Sequence, residues 1–342
     1  MIILGQDGGY HERTVQPPVK STLRLSVALC TFNGEPYLEE QLASILAQGR
    51  PPEEVVICDD GSADRTIDIL RDFAKSTGFP VRIVLNPGRL GFTKNFEKAI
   101  RLCEGDVIVL SDQDDCWYQT RLAMLEKAFV ANPAQGLIFS DADLMDQESR
   151  LVGKRYWATC GLTERRRLQI KKGKALQVLL KHNVVCGATA AFRSELRGIV
   201  LPIPEITVHD LWIAVVASIV SEIGMLPEPS ISYRKHSSQQ LGMLNYSFKE
   251  AVAKSKLVGA PEYLSMASQY AMIRDRIREH YLSPRFDQEI LLLERKIRLM
   301  ERRAALPSER WRRLPEILRD TVNLNYFRYA EGYKSIAKDL VR

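Results

Sequence analysis

The chain has 342 residues, 45% hydrophobic and 26% charged, which excludes disordered, collagen-like and disulfide-scaffold classes and is enough for two ordinary domains or one large one with an appendage. The net charge of +6 is unevenly placed: residues 245–342 hold 20 Lys/Arg against 13 Asp/Glu, the first 244 only 28 against 29. The uncharged stretch Leu211–Ser221 is far short of the about 20 apolar residues that span a bilayer, and the first residues lack the basic and apolar segments of a signal peptide, so a cytoplasmic protein is expected. The six cysteines stand singly without a C-x-x-C pair and are expected to be reduced thiols in or near the core.

Residues 1–22 are polar, carry Gly8-Gly9 and Pro17-Pro18, and read as a mobile lead-in. Leu25–Cys30 then reads as a strand, Pro36–Gln48 as a helix, Val55–Cys58 as a strand, Asp64–Lys75 as a helix, Val81–Leu85 as a strand, Thr93–Cys103 as a helix and Asp106–Leu110 as a strand. Strands apolar throughout that alternate with helices indicate βαβ units and a parallel sheet covered on both faces. Further on, Thr120–Ala131 reads as a helix, Gly136–Ser140 as a strand, 141–172 as a polar, basic connection and Lys174–Lys181 as a short helix. Val184–Phe192 reads as a strand pair or bent strand, Asp210–Val220 as a buried helix, and Glu222–Leu226 and Ser230–Arg234 as two strands. From about Ser247 the pattern is helical, over Glu262–His280, Arg285–Ala304, Ser308–Asn323 and Tyr326–Leu340.

Ligands of open α/β sheets sit beyond the carboxyl ends of the strands, and here those ends are rich in carboxylates. Thr31-Phe32-Asn33-Gly34 follows the first strand, Asp59-Asp60-Gly61-Ser62 the second, and Ser111-Asp112-Gln113-Asp114-Asp115 the strand at 106–110. One such Asp also serves as a helix cap or turn former, but three within four residues repel one another unless a hard divalent cation neutralises them. Alternation puts Asp112 and Asp114 on one side, able to share one ion. There is no Gly-rich phosphate loop, which leaves a diphosphate to the metal and to side chains such as Lys94 and Arg89, the latter in the Gly88–Phe92 segment ahead of a helix. Cys186-Gly187-Ala188-Thr189, a run of small residues, reads either as the floor of a pocket or as close packing.

The succession Val27–Gly34, Val56–Thr66, Asn86–Phe96 and Leu110–Trp117 resembles the inverting family 2 glycosyltransferases of the GT-A fold, over about residues 24–240. The Ser-Asp-Gln-Asp-Asp-x-Trp variant is most similar to the bacterial branch that includes rhamnosyltransferases and other polysaccharide enzymes. The resemblance implies an α/β GT-A domain at 23–244, with a mostly parallel sheet and helices on both faces, followed by a basic helical appendage at 245–342. It implies Thr31 and Asp59 on a pyrimidine base, Asn33 and Asp60 beside the nucleotide, and Asp112-Gln113-Asp114 as the DxD motif. In that motif Asp112 contacts ribose or metal and Asp114 ligates Mg²⁺ or Mn²⁺, with Asp115 as a helper and His236 of Tyr233-Arg234-Lys235-His236 completing the metal site. Asp210, at the start of a helix, takes the place of the catalytic base, with His209 as the alternative and Trp212 as a stacking face for a sugar. The implied donor is a nucleoside-diphosphate sugar such as dTDP-rhamnose and the acceptor a glycan or lipid-linked hydroxyl.

A nucleotidyltransferase that makes sugar nucleotides is the competing enzyme reading, but it calls for a Gly-rich basic loop after the first strand. A non-catalytic nucleotide-sugar adaptor is the other, told apart by donor turnover. In the helical tail, Arg295–Arg303 and Trp311-Arg312-Arg313 set cations beside apolar side chains. Such faces either rest on an anionic membrane as a peripheral contact or are solvated helix exteriors; nucleic acid is not expected as a partner.

Overall fold

Strands that are apolar on both faces need cover on both, and the helices between them supply it. The computed structural model describes residues 22–236, 259–281 and 284–341. The lead-in up to residue 21 and the expected domain boundary at 244/245 lie outside the described residues.

In chain order the regular half comprises β1 (Leu25–Thr31), α1 (Leu38–Leu46), β2 (Glu54–Asp59), α2 (Thr66–Ser76), β3 (Val81–Leu85), α3 (Phe92–Leu102) and β4 (Val107–Ser111). β5 (Cys116–Trp117), α4 (Arg121–Ala131), β6 (Gln135–Met145), β7 (Leu151–Arg155), α5 (Tyr156–Thr159), α6 (Glu164–Lys171) and α7 (Ala175–Leu179) follow. Then come β8 (Ala190–Arg193), α8 (Arg197–Val200), α9 (His209–Val220) and β9 (Glu222–Arg234). The C-terminal helices are α10 (Ala260–His280), α11 (Asp287–Ala304), α12 (Arg310–Val322), α13 (Asn325–Tyr329) and α14 (Tyr333–Val341).

The strands form one sheet in the order β3-β2-β1-β4-β8-β6-β9-β5, with β7 paired to β6. β3, β2, β1 and β4 are mutually parallel, and β8 is antiparallel to both β4 and β6. The register pairs Thr31 with Asp59 and Leu29 with Ser111, so the loops after β1, β2 and β4 open at one edge. The chain order reverses beside β1, which is where an open sheet leaves a crevice. One face of the sheet packs on α1, α2 and α4 through Leu42, Ile45, Leu70, Phe73, Leu125 and Phe129. The other packs on α3, α7 and α9, and the same apolar layer takes in Tyr270, Ile273, Leu293 and Ile297 of α10 and α11. The C-terminal helices are thus built into the second face: Arg276 lies over Trp212 at 5.2 Å and donates to the Ile199 carbonyl at 2.9 Å.

The irregular half departs from expectation in four places. The 141–172 connection carries the end of β6, β7, α5 and α6. Val184–Phe192 is a 3₁₀ turn at Gly187–Thr189 followed by β8, because its small residues suit a tight turn more than a ladder. Glu222–Leu226 and Ser230–Arg234 are one strand, since Pro227 falls in a bulge between Leu226, paired with Ser140, and Pro229, paired with Asp141. Tyr326–Leu340 is two helices, broken before Gly332 at φ +60°. Three expected surface cations are interior: Lys296 donates to the Tyr329 carbonyl at 2.9 Å, Arg303 pairs with Asp339 at 2.7 Å, and Arg313 donates to the carbonyls of Pro307 and Ser308. All six cysteines are free thiols, five buried and Cys116 partly so. Among the described residues no helix is long and apolar enough to cross a membrane.

Candidate active site

A cavity of about 400 Å³ opens at the carboxyl ends of β1, β2 and β4 and is closed by the start of α9 and the end of β9. Thr31, Asn33, Asp60, Asp112, Gln113, Asp114, Asp210 and His236 line it. Of the expected site residues, Asp59, Arg89, Lys94, Asp115 and Trp212 do not.

Asp59 is buried and fully used by its own loop. Its Oδ1 accepts from the amides of Gly61 and Ser62 at 3.0 and 2.8 Å, and its Oδ2 accepts from the hydroxyls of Thr31 and Ser62 at 2.7 and 2.6 Å. It shapes the turn and orients Thr31, which does line the cavity. The adjacent Asp60 faces the cavity and also accepts from Asn86 Nδ2 and the Leu90 and Gly91 amides, which ties down the loop before α3. Lys94 points away, donating to Glu97 at 2.8 Å and to the Ile203 carbonyl at 2.6 Å, so it is not available to a diphosphate in the cavity. Arg89 lies over the Phe32 ring at 4.0 Å.

Asn33 adopts φ +46°, a region asparagine tolerates, and its Oδ1 accepts from the Ala63 amide at 2.9 Å. Gln113 brackets Phe32, with Oε1 accepting from its amide and Nε2 donating to its carbonyl. Gly34 permits this, because a Cβ there would sit 2.5 Å from Gln113 Oε1. Gln113 therefore joins the loops after β1 and β4, a positioning task.

The carboxylates of the third loop divide by direction. Asp112 is pushed up to about 8 by burial, then by the charges of Asp114 and Asp210. Asp114 Oδ2 lies 2.8 Å from His236 Nε2, and the His236 ring rests near Tyr37 at 4.7 Å. Asp115 turns away from the cavity, taking the Arg234 amide on Oδ1, and does not serve as a helper there. Arg234 is the residue the sequence reading missed: its Nε donates to the Asp114 carbonyl at 2.7 Å and its Nη2 to Glu40 at 2.6 Å, which fixes the loop carrying Asp114. It stood in plain view beside His236, but only a fold that brings β9 to this loop reveals its use.

Among the described residues no three His, Cys, Asp or Glu side chains form a ready-made metal cage. The donor chemistry nonetheless fits a divalent cation shared with a phosphate ligand, since Asp112 is held above the ordinary carboxylate range by burial and then by the negative charges of Asp114 and Asp210, both of which a cation would relieve. Asp114 and His236, with Asp112 beside them, would hold Mg²⁺ or Mn²⁺ and leave its other positions to diphosphate and water.

Across the cavity, burial pushes Asp210 up to about 6, against hydrogen bonds from the backbone of Leu211 and Gly187 and from Asn183. Asn183 Nδ2 approaches Asp210 Oδ1 at 3.2 Å. His209 stacks on Phe96 with ring centroids 4.0 Å apart, and neither ring nitrogen has a hydrogen-bond partner among the described residues. Burial drives it down to about 3, which leaves a neutral imidazole of little basicity and makes Asp210 the stronger candidate. Both readings of the small-residue segment hold at Gly187, which lies on the cavity wall and is closely packed, since a Cβ there would come 2.7 Å from His209 Nε2. Trp212 is wholly buried, donates to the Val200 carbonyl at 2.7 Å and offers no face to a sugar. Tyr37, Phe92 and Phe96 supply aromatic wall in its place, a role that nothing in the sequence signalled.

Comparison with known proteins bears on this geometry. The profile described as Glycosyl transferase family 2 matches residues 26–197, half of the chain. A Haemophilus influenzae protein described as an uncharacterized glycosyltransferase is 24% identical over 264 residues, 70% of this chain and 74% of the relative. The dTDP-rhamnosyl transferase RfbG of Shigella flexneri is 36% identical over 110 residues, 31% of this chain and 38% of its own length. Among solved structures, the mannosyltransferase PcManGT of Pyrobaculum calidifontis, in complex with GDP-Man and Mn²⁺, superposes with a TM-score of 0.56 at 20% identity over 96% of this chain and 88% of that one. At that identity the likeness shows the fold, a GT-A sheet with C-terminal helices.

Proposed function

Because the chain belongs to glycosyl transferase family 2 and is a glycosyltransferase, we propose that its cavity carries out an inverting transfer from a nucleoside-diphosphate sugar with Asp210 as general base. One observation carries the reading: Asp210, a half-buried carboxylate with its pKa raised to about 6, shares a cavity with the crowded Asp112 and Asp114. Thr31, Asn33 and Asp60 bound the nucleotide side. Asp210 takes the proton of the acceptor hydroxyl as the acceptor oxygen bonds to the anomeric carbon. The bond from that carbon to the diphosphate breaks, and its electron pair leaves with the nucleoside diphosphate. A divalent cation, held by Asp114 and His236, would supply electrostatic stabilisation to that leaving group. The aromatic wall of Tyr37, Phe92 and Phe96 excludes water from the reacting centre.

The donor is proposed as dTDP-rhamnose, supported by the similarity to RfbG, and the acceptor as a glycan or lipid-linked hydroxyl of a bacterial surface polysaccharide. Asp210→Asn is expected to lower transfer by about 10²–10⁴-fold while nucleotide binding by calorimetry stays near wild type. A variant that turns over normally rejects Asp210 as the base.

A further inference from the structure

Helix α12 turns Arg313, Ile317 and Asp320 inward and leaves an apolar row on the opposite side. Trp311, Leu314, Leu318 and Val322, spaced by three, four and four residues, are 68, 53, 63 and 71% exposed. Leu324 prolongs the row at 47%. The other three tryptophans are no more than 5% exposed, so Trp311 stands apart from the chain's own habit. By helical geometry Arg310 flanks one side of the row and Arg312 and Arg319 the other, the latter two next to Glu309 and Glu316.

Just past the end of α12 lies an open cavity of about 310 Å³ lined by Arg295, Arg298 and Arg302 of α11, by Arg328 of α13, and by Asn323, Asn325 and Tyr329. Arg302 is paired to Asp320 and Arg298 to Glu294, whereas Arg295 and Arg328 have no ion-pair partner among the described residues. The cavity is thus cationic, with amide donors beside it, and its Asn323 and Asn325 flank Leu324, where the apolar row ends.

We propose that α12 and the arginine cavity form a membrane-docking face: the apolar row enters the acyl boundary of an anionic bilayer and the cavity receives lipid phosphates. The proposal gives the expected peripheral contact a definite face, and it rests on none of the active-site assignments. An apolar helix face with long cations on both flanks matches the headgroup plane, where the indole sits at the interface and arginines reach phosphate. A second copy fits less well, because a two-fold contact through this face would set its unpaired arginines against one another.

The test uses the full chain with vesicles of phosphatidylcholine alone or with about one-third phosphatidylglycerol. The protein is expected to float with the anionic vesicles at low salt and leave them at high salt, and its tryptophan emission to shift to the blue through Trp311. Arg295→Ser/Arg298→Ser/Arg328→Ser should weaken partitioning on the order of a hundredfold, at about fivefold per cation. Trp311→Ser/Leu318→Ser should weaken it at least about tenfold and abolish the blue shift. Both variants change exposed side chains and are expected to melt as the wild type does. Equal binding to both vesicle types, no binding to either, or unchanged binding by the variants overturns the proposal. So does a wild-type dimer that Trp311→Ser/Leu318→Ser splits while vesicles are ignored.

Discussion

Arg303, buried in the C-terminal helices, and Asp112, half-buried at the end of β4, are both ionisable residues shielded from bulk water, and their surroundings differ in kind. Arg303 meets Asp339 through two hydrogen bonds of 2.7 and 3.0 Å, and the hydroxyls of Tyr263 and Tyr326 reach the same carboxylate at 3.2 and 2.6 Å. Asp112 meets other carboxylates, and burial and those neighbours raise its pKa to about 8. A network whose charges are matched within the chain locks helices together. A set left with one sign of charge is completed only by something that binds.

The contrast can be broken at either end. Asp339→Ala leaves Arg303 buried without its partner and is expected to cost about 3–5 kcal/mol in urea unfolding. A loss below 1 kcal/mol, within the about 0–1 kcal/mol typical of surface pairs, would show that the network does not lock α11 to α14. Asp114→Ala should lower Mn²⁺-dependent nucleotide affinity by at least about tenfold in calorimetry, with little change in the metal-free melt, and an unchanged affinity removes Asp114 from the metal site. The acid limb of kcat/KM should fall at or below about pH 6, because protonated Asp210 accepts no proton and a bound cation lowers its pKa further.

The smallest effect sharpens the comparison from within the helices. Lys296 is buried against the Tyr329 carbonyl at 2.9 Å and is driven down to about 7, by burial first and then by Arg303. Between about pH 7 and the usual lysine range the unfolded chain binds the proton and the folded one does not, so stability rises with pH across that window. Lys296→Met should flatten this slope and raise the melting midpoint at neutral pH; a slope that survives the substitution assigns it to another group.

Much of the first half was legible because β1, β2 and β4 are apolar runs whose ends are marked by polar loops, and Asp112, Asp114, Asp210 and His236 do meet in one cavity. What failed was direction at single positions. Asp59 and Asp60 are consecutive, and only the loop's hydrogen bonds decide which of them faces the cavity. Lys94 lies at the start of α3, where one helical step separates the cavity from Glu97. Trp212 sits in a helix apolar all round, which carries no signal for the side that meets a ligand. Arg303 and Arg313 looked like surface cations because their partners, Asp339 and the carbonyls before α12, are brought to them only by tertiary packing.

The absence of a side chain at Gly187 has reach beyond its own turn. His209 Nε2 occupies the space that a methyl group would need, and Asp210 Cβ lies 3.6 Å from the same point. His209 and Asp210 are the first two residues of α9, so a bulkier residue at 187 would shift both together and leave the nucleotide side untouched. The place of Asp210, the proposed base, therefore depends on the bare backbone at position 187, a residue with no chemistry of its own.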